Sequence, residues 1–206
     1  QSEGVSQRIM KFRFRKPMSN PFYAEWPSPF GLPSFSDIDP THFEEAFQAG
    51  FDQNNEEIDT IANSLEDPTF ANTVVELERA GELLSRVADV FFNLSIADTN
   101  DQIEALELKI APRLAVHEAN IYQNSKLFQR VMNVKESGVS LDADQAQLVS
   151  DLITEFVRAG ASLDESTRQE VKKLDTRLAT LMAEFGQNVL KDSNAFELIV
   201  ETPSVL

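Results

Sequence analysis

Hydrophobic residues recur every three or four positions along most of this chain, which is the spacing of one face of an α-helix. The pattern predicts about six helices. Their apolar stripes run through Phe43 to Leu65, Phe70 to Leu94, Ile103 to Ile121, Leu127 to Val134, Leu148 to Phe156 and Val171 to Val189.

Capping residues and glycines mark the predicted helix ends. Thr41 and Glu44 have the spacing of a capping box and should start the first helix. Pro112 should kink the third helix, because it removes a hydrogen-bond donor from the helix interior. Other signals are Asn124 before the fourth helix, Gly138 and Gly160 after the fourth and fifth, and Ser162 or Asp164 before the sixth.

The two ends of the chain break the helical pattern. Residues 19–38 combine prolines with aromatic side chains and predict an extended arm, docked on the helices through Phe22, Trp26 and Phe30. Residues 194–201 alternate apolar and polar side chains and predict a short strand. The predicted fold is therefore an all-α bundle with an N-terminal arm and a short C-terminal strand.

Charge excludes some classes of partner. The chain has 18 Lys and Arg against 34 Asp and Glu, a net charge of −16 in 206 residues. Such a surface repels nucleic acid and anionic lipid, so we expect neither as a partner. Residues 1–17 differ, with five basic residues against one acidic residue, and we interpret residues 1–18 as a solvated basic arm or a remnant of cloning.

The absence of cysteine excludes disulfides and thiol chemistry. No apolar run approaches the ~20 residues of a membrane span, so we expect no membrane partner. The predicted location is cytoplasmic, or periplasmic if Gln1 follows a removed signal peptide.

One stretch, Val116 to Ile121 ("VHEANI"), resembles half of the His-Glu-x-x-His motif of zinc peptidases. Ile121 stands where the second histidine would be. A catalytic zinc needs three protein ligands, and the chain has only two histidines and no cysteine. His117 and Glu118 could at best contribute to a site completed by other carboxylates. We therefore expect position 121 to pack in the core and His117 to be a core-edge or a hydrogen-bonded histidine.

The other candidates for chemistry have structural explanations. His42 and Glu44 lie in a first helical turn, where carboxylates favour the helix dipole. Glu56 and Glu57 are neighbours on a helix and predict a solvated face, not a catalytic pair. No nucleotide-binding or serine-nucleophile motif is present. We therefore assign no catalytic, cofactor-binding or metal-binding residue to this chain.

A longer resemblance supplies a family. The chain resembles the N-terminal region of bacterial peptidyl-dipeptidases, which belong to the thimet oligopeptidase family of zinc metallopeptidases. The similar segments keep their order from about residue 20 to the last residue. They include "NPFYAEWPSPFGLPSFSDIDPTHFEEAF", "DPTFANTVVELERAGELLSRVADVFFNLSIADTN", "IAPRLAVHEANIYQNSKLFQRV" and "FGQNVLKDSNAFELIVE".

The resemblance implies a helical enzyme whose zinc site lies well C-terminal of the region matched here. Residues 39–206 would then be its helical N-terminal domain, forming part of the wall of the substrate channel. The implied partners are the C-terminal catalytic part of the same polypeptide, oligopeptide substrates and zinc in the parent enzyme. The isolated chain should be inactive and should form a homodimer. The alternative is a free-standing helical binding or scaffold module.

Overall fold

The computed structural model describes residues 20–24 and 26–197, which are helical throughout apart from loops and short 3-10 turns. The helices are α1 (Thr41–Ala62), α2 (Glu76–Arg79, entered through a π-helical turn at Phe70–Val75), α3 (Glu82–Ala97), α4 (Asp101–Tyr122), α5 (Ser125–Glu136), α6 (Ala143–Arg158) and α7 (Glu165–Ala195). The all-α class is confirmed. None of these described helices is long and apolar enough to cross a membrane.

One core cluster joins the N-terminal arm to α1, α3 and α4. Phe22 from the arm is buried against Phe43, with 5.2 Å between ring centroids, and Phe43 in turn contacts Phe91 of α3 at 5.1 Å. Gly50 allows α1 and α3 to cross closely, because a Cβ there would lie 2.9 Å from the Cα of Leu84. Bulky aromatic side chains fill the cluster, while a single glycine sets the spacing of the helices.

A second core cluster joins the end of α1 to α2, α5 and α6. Its largest fully buried side chain is Phe156 of α6, whose ring meets Tyr122 edge-on at 5.2 Å and the tilted ring of Phe128 at 5.6 Å. Arg130 of α5 is buried as well, and its guanidinium donates to the carbonyl oxygens of Ser64 and Glu66, both at 3.0 Å. The loop between α1 and α2 is thereby fixed on α5.

α7 lies antiparallel along α4. Gln187 donates to the carbonyl oxygen of Glu104 at 2.8 Å, and at the other end of the contact Arg168 donates to that of Gln123 at 3.2 Å. The face of α7 that meets α4 is made of small and polar residues, which we call the inner face: Thr176, Thr180, Ala183 and Gln187. The apolar stripe that should have entered the core points away from α4.

Several predicted boundaries are confirmed. Asn124 caps α5 with its side chain, Asp164 caps α7, and Gly138 and Gly160 follow α5 and α6 with φ of 69° and 97°. Pro112 lies inside α4, and the kink or local break expected there stays a prediction.

The start of α1 and the middle of the second predicted helix differ from expectation. The predicted capping box is wrong: Thr41 is the first residue of α1, and Pro40 holds the N-cap position without a side-chain cap. The Asp39 carboxylate accepts hydrogen bonds from the Thr41 amide at 2.9 Å and from its hydroxyl at 2.7 Å. The single helix predicted from Phe70 to Leu94 is two, because Gly81 adopts a left-handed φ of 84° between α2 and α3.

The predicted strand and part of the predicted arm contact are wrong in the described residues. α7 continues through Asn194 and Ala195, and residues 198–206 lie outside the described part, as do residues 1–19. Phe22 is buried and Trp26 is half-buried under Arg86, but Phe30 is fully exposed. Phe30 has a φ of 65° in the turn that ends at Gly31, and this turn directs it away from the helices.

The crossing of α1 and α3 can be tested with two glycines of opposite environment. Gly50→Ala should destabilise the protein by about 1–3 kcal/mol, because the new methyl group meets backbone atoms of Leu84. Gly186→Ala, in exposed α7 with no neighbour within 4 Å, should stabilise by about 0.5–1 kcal/mol. Urea unfolding measures both. Equal effects of the two substitutions would contradict the close crossing.

The docking of the arm has its own matched pair. Phe22→Ala should cost about 3–5 kcal/mol, because it empties a fully buried site. Phe30→Ala should change the free energy of unfolding by less than about 0.5 kcal/mol, because that ring is in water. Chemical denaturation followed by the fluorescence of Trp26, the only tryptophan, checks both values. A small effect of Phe22→Ala would show that the arm is not part of the core.

Candidate functional site

His117 is the histidine of the stretch that resembles half of a zinc-peptidase motif. Its side chain faces inward from α4 toward α1. Its Nε2 lies 2.7 Å from Oδ1 of Asn54, and its ring lies 5.0 Å from that of Phe51. Both His117 and Asn54 are buried. The prediction of a hydrogen-bonded histidine is confirmed.

The turn between α2 and α3 completes this polar cluster. The amide of Gly81 donates to Oε2 of Glu57 at 2.7 Å, and a Cβ on Gly81 would meet the Asn54 side chain at 3.1 Å. Glu57 is therefore half-buried and hydrogen-bonded to the Gly81 amide, while its neighbour Glu56 is exposed. The prediction of a solvated pair holds for Glu56 and is wrong for Glu57.

His117, Glu118 and Ile121 occupy the positions of a His-Glu-x-x-His motif, but they have different surroundings in the structure. Glu118 is exposed and lies on the wall of a cleft, and Ile121 packs against the second core cluster. The other histidine, His42, accepts a hydrogen bond at Nδ1 from the Asp39 amide at 3.0 Å. In residues 20–24 and 26–197, no three His, Asp or Glu side chains are grouped so that they could hold a metal ion.

An open cleft of about 540 Å³ lies over the C-terminal half of α4, between α6 and α7. Tyr122, Leu178 and Met182 supply its apolar surface. Four charged side chains line it, and three of them are acidic: Glu118, Glu155, Asp175 and Arg158. This arrangement could accept an apolar group with a positive charge.

Burial and acidic neighbours act on the titrating group of this cleft. Burial raises the pKa of Tyr122 to about 12, and the carboxylates of Glu155, Glu118 and Glu78 act in the same direction. Tyr122 is therefore a neutral hydrogen-bonding group at physiological pH. It therefore does not act as a base at that pH.

A second, shallower groove runs along the other side of the α4–α7 contact. Its charged residues are all basic, Lys172, Lys173 and Arg177, and Thr176 and Thr180 add hydroxyl groups. Lys172 reaches across to Oδ1 of Asn120. The two sides of the contact thus have opposite charge.

Comparison with known proteins agrees with the resemblance of the sequence. No protein-family model matches the chain. It is 38% identical over 185 residues to a dipeptidyl carboxypeptidase of Salmonella typhimurium and 37% identical over 183 residues to that of Escherichia coli. These alignments cover 89% and 88% of the chain. An organellar oligopeptidase A of Arabidopsis thaliana is 25% identical over 184 residues.

These similarities support the resemblance of the chain to an N-terminal fragment of the thimet oligopeptidase family. The chain spans only 27% of the length of the two bacterial relatives, so the activity of the whole protein is a proposal for this chain.

Some residues of the site carried no signal in the sequence. Asn54 lies in a polar run, "DQNNEE", where nothing distinguishes it from the exposed Asn55 next to it. Its burial becomes predictable only through helix phase, since it is one turn from Gly50 and from Ile58. Nothing in the local sequence marks Tyr122 as a cleft residue either, because Glu155 and Asp175, which line the same cleft, come from distant parts of the chain.

The buried histidine predicts a pH dependence of stability. Burial lowers the pKa of His117 below its ordinary 6.5, so the unfolded chain binds a proton that the folded chain refuses. Stability should therefore fall as the pH drops below 6.5, toward the folded pKa. The pKa values of Asp39 and Asp164 are also shifted, downward from 3.8 by hydrogen bonds from Thr41 and Thr167. These two carboxyl groups therefore change stability mainly below pH 3.8, outside the range in which His117 titrates.

Unfolding measured between about pH 5 and pH 7.5 tests the effect. His117→Gln keeps a hydrogen-bonding partner for Asn54 without a titrating ring, so it should flatten the slope. His42→Gln is the matched control and should keep it. An unchanged slope in His117→Gln would contradict the assignment.

Proposed function

We propose that this chain is the N-terminal helical portion of a zinc metallopeptidase that releases C-terminal dipeptides from oligopeptides. The observation that carries the proposal is the similarity to two dipeptidyl carboxypeptidases over 88–89% of the chain at 37–38% identity. Residues 39–206 are the helical domain of that larger enzyme, and they form part of the wall of its substrate channel.

The main partner is the C-terminal catalytic part of the same polypeptide. An exposed apolar stripe on α7, outside its buried contact with α4, supports this proposal. We call it the outward face: Leu174, Leu178, Leu181, Met182, Phe185 and Val189. Leu178 and Met182 lie at its edge, where they also line the acidic cleft. Phe185 and Leu174 are 70% and 69% exposed. Exposed apolar surface of this extent is typical of an interaction surface.

Zinc and the catalytic groups belong to the remainder of the enzyme in this proposal. The residues of this chain do not fit a zinc site, because His117 is paired with Asn54 and His42 with the backbone of Asp39. The chain alone should therefore hold no zinc and hydrolyse no peptide.

The acidic cleft and the basic groove give the domain two surfaces on which an oligopeptide could lie.

We propose a cytoplasmic location for the enzyme. A relative in Arabidopsis thaliana is named a probable cytosolic oligopeptidase A, and another is named chloroplastic or mitochondrial.

The test uses the polypeptide encoded by the complete gene and the 206-residue chain, both purified without a His tag. With an oligopeptide blocked at its N-terminus, the complete polypeptide should release dipeptides from the C-terminus. A chelator should stop the reaction and zinc should restore it. The short chain should show neither product nor bound zinc.

Two further measurements sharpen the test. In the complete polypeptide, His117→Gln should leave the peptidase rate constant unchanged within about twofold, since we assign this ring a structural role. A complete polypeptide without peptidase activity would overturn the proposal and favour a helical binding or scaffold module. One zinc per short chain, lost in His117→Gln, would overturn the assignment of the metal to the remainder.

A further inference from the structure

The two ends of α7 are held to the bundle in different ways. Before the helix begins, Ala161 is buried in the second core cluster, and the side chain of Gln123 donates to the carbonyl oxygen of Ala159 at 3.0 Å. Arg168, in the first turn of α7, donates to the carbonyl oxygen of Gln123 at 3.2 Å. The N-terminal end is therefore anchored by apolar burial and by two hydrogen bonds to main-chain oxygens.

The C-terminal half of α7 is held mainly by polar contacts. Besides its bond to the Glu104 carbonyl oxygen at 2.8 Å, the side chain of Gln187 donates to Oε2 of Glu107 at 3.4 Å. Lys191 pairs with the Glu104 carboxylate at 3.0 Å, but its side chain is 61% exposed, and ion pairs in water stabilise little. Gln187 is therefore the residue that mainly holds this end on α4.

Separation of this half from α4 would uncover little apolar surface. In the described structure, Ala183 and Gln187 are the only buried residues among the 31 of α7, and the outward face is in water already. The main contact of α7 within the described part of the chain is with α4. Because apolar burial is the dominant force that holds helices together, this contact is weak compared with the two core clusters.

The helix itself does not depend on α4. With 31 residues, α7 is well above the ~12–15 residues below which isolated helices are marginal in water. Asp164 caps its first turn by accepting from the Thr167 amide at 3.0 Å, and Gln169 donates to Glu165 within the helix at 2.8 Å. These contacts lie inside α7 and would survive its separation from α4.

We infer that α7 is a movable wall, which pivots at residues 159–164 while its C-terminal half separates from α4 as an intact helix. The acidic cleft depends on this movement, because Asp175, Leu178 and Met182 line it from α7. Outward movement of α7 widens the cleft, so the contact made by Gln187 sets the width. The inference concerns how α7 is held on α4 in the 206-residue chain and does not rest on the proposed peptidase activity.

Thiol labelling tests the pivot, because the chain has no cysteine of its own. Ala183→Cys and Ala161→Cys are a matched pair, since both alanines are 8% exposed and they lie in the separating half and at the anchored end. Relative to the same thiols in urea-unfolded chains, the thiol at position 183 should react at least about tenfold faster than the thiol at position 161.

Loss of the Gln187 side chain should favour the separated state. Gln187→Ala should raise the labelling rate at position 183 by about fivefold, because it removes the hydrogen bond to Glu104, and should leave position 161 unchanged. Thr180→Cys, about two turns from Gln187, should show the same gain, which a merely local exposure beside the shortened side chain would not give. Gln169→Ala, at an exposed residue bonded within α7, is the control and should change no rate.

Amide hydrogen exchange distinguishes pivoting from unfolding. In Gln187→Ala, the amides of α7 should stay as protected as in the unchanged chain, because the helix moves without opening its own hydrogen bonds. Equal labelling rates at positions 161 and 183, or a rate at 183 that Gln187→Ala leaves unchanged, would overturn the inference. Amide exchange that accelerates along α7 together with the labelling would also overturn it, since the helix would then unfold instead of pivoting.

Discussion

The contact between α4 and α7 determines what this domain presents to its surroundings. It is made by small and polar side chains and fixed by hydrogen bonds to main-chain carbonyls, of which that from Gln187 to Glu104 at 2.8 Å is the shortest direct example. A long amphipathic helix would ordinarily turn its leucines to the core. Because α7 instead binds through its polar side, its apolar side faces away from the bundle and needs a partner.

The rest of the domain positions α4, on which α7 packs. Gly50 lets α1 and α3 cross closely, and His117 and Asn54 join α1 to α4 inside the bundle. The histidine that suggested zinc chemistry thus has a packing role. Its buried hydrogen bond strengthens the α1–α4 contact, and burial keeps the ring neutral.

The sequence predicted the helical class and most helix ends because capping side chains and glycines act locally. Asn124, Asp164 and Gly160 do in the structure what their positions indicated. Predictions from local sequence signals were wrong where the outcome depended on the backbone conformation between helices or on how helices pack. Gly81 breaks a continuous apolar stripe, and Phe30 is turned outward by its own backbone. For α7, periodicity showed a helix with an apolar side but could not show that α4 accepts the other side.

In the candidate site, too, the sequence predicted local features but not the contacts between distant residues. Composition gave only two histidines and no cysteine, so a zinc site would have needed other carboxylates to complete it. Composition could not show that Asn54 is the partner of His117. That pairing joins residues 63 positions apart and depends on the phase of two helices. The acidic cleft was also beyond prediction from sequence, because Tyr122, Glu155 and Asp175 lie on three different helices.

We propose that the outward face of α7 is an internal interface of a larger peptidase, and the reactivity of a single thiol on that face tests this directly. The 206-residue chain has no cysteine, so Phe185→Cys introduces one reporter. Diluted below its association range, this chain should react rapidly with a thiol reagent. In the polypeptide encoded by the complete gene, the same Cys should be strongly protected. Equal rates in the two proteins would contradict the account.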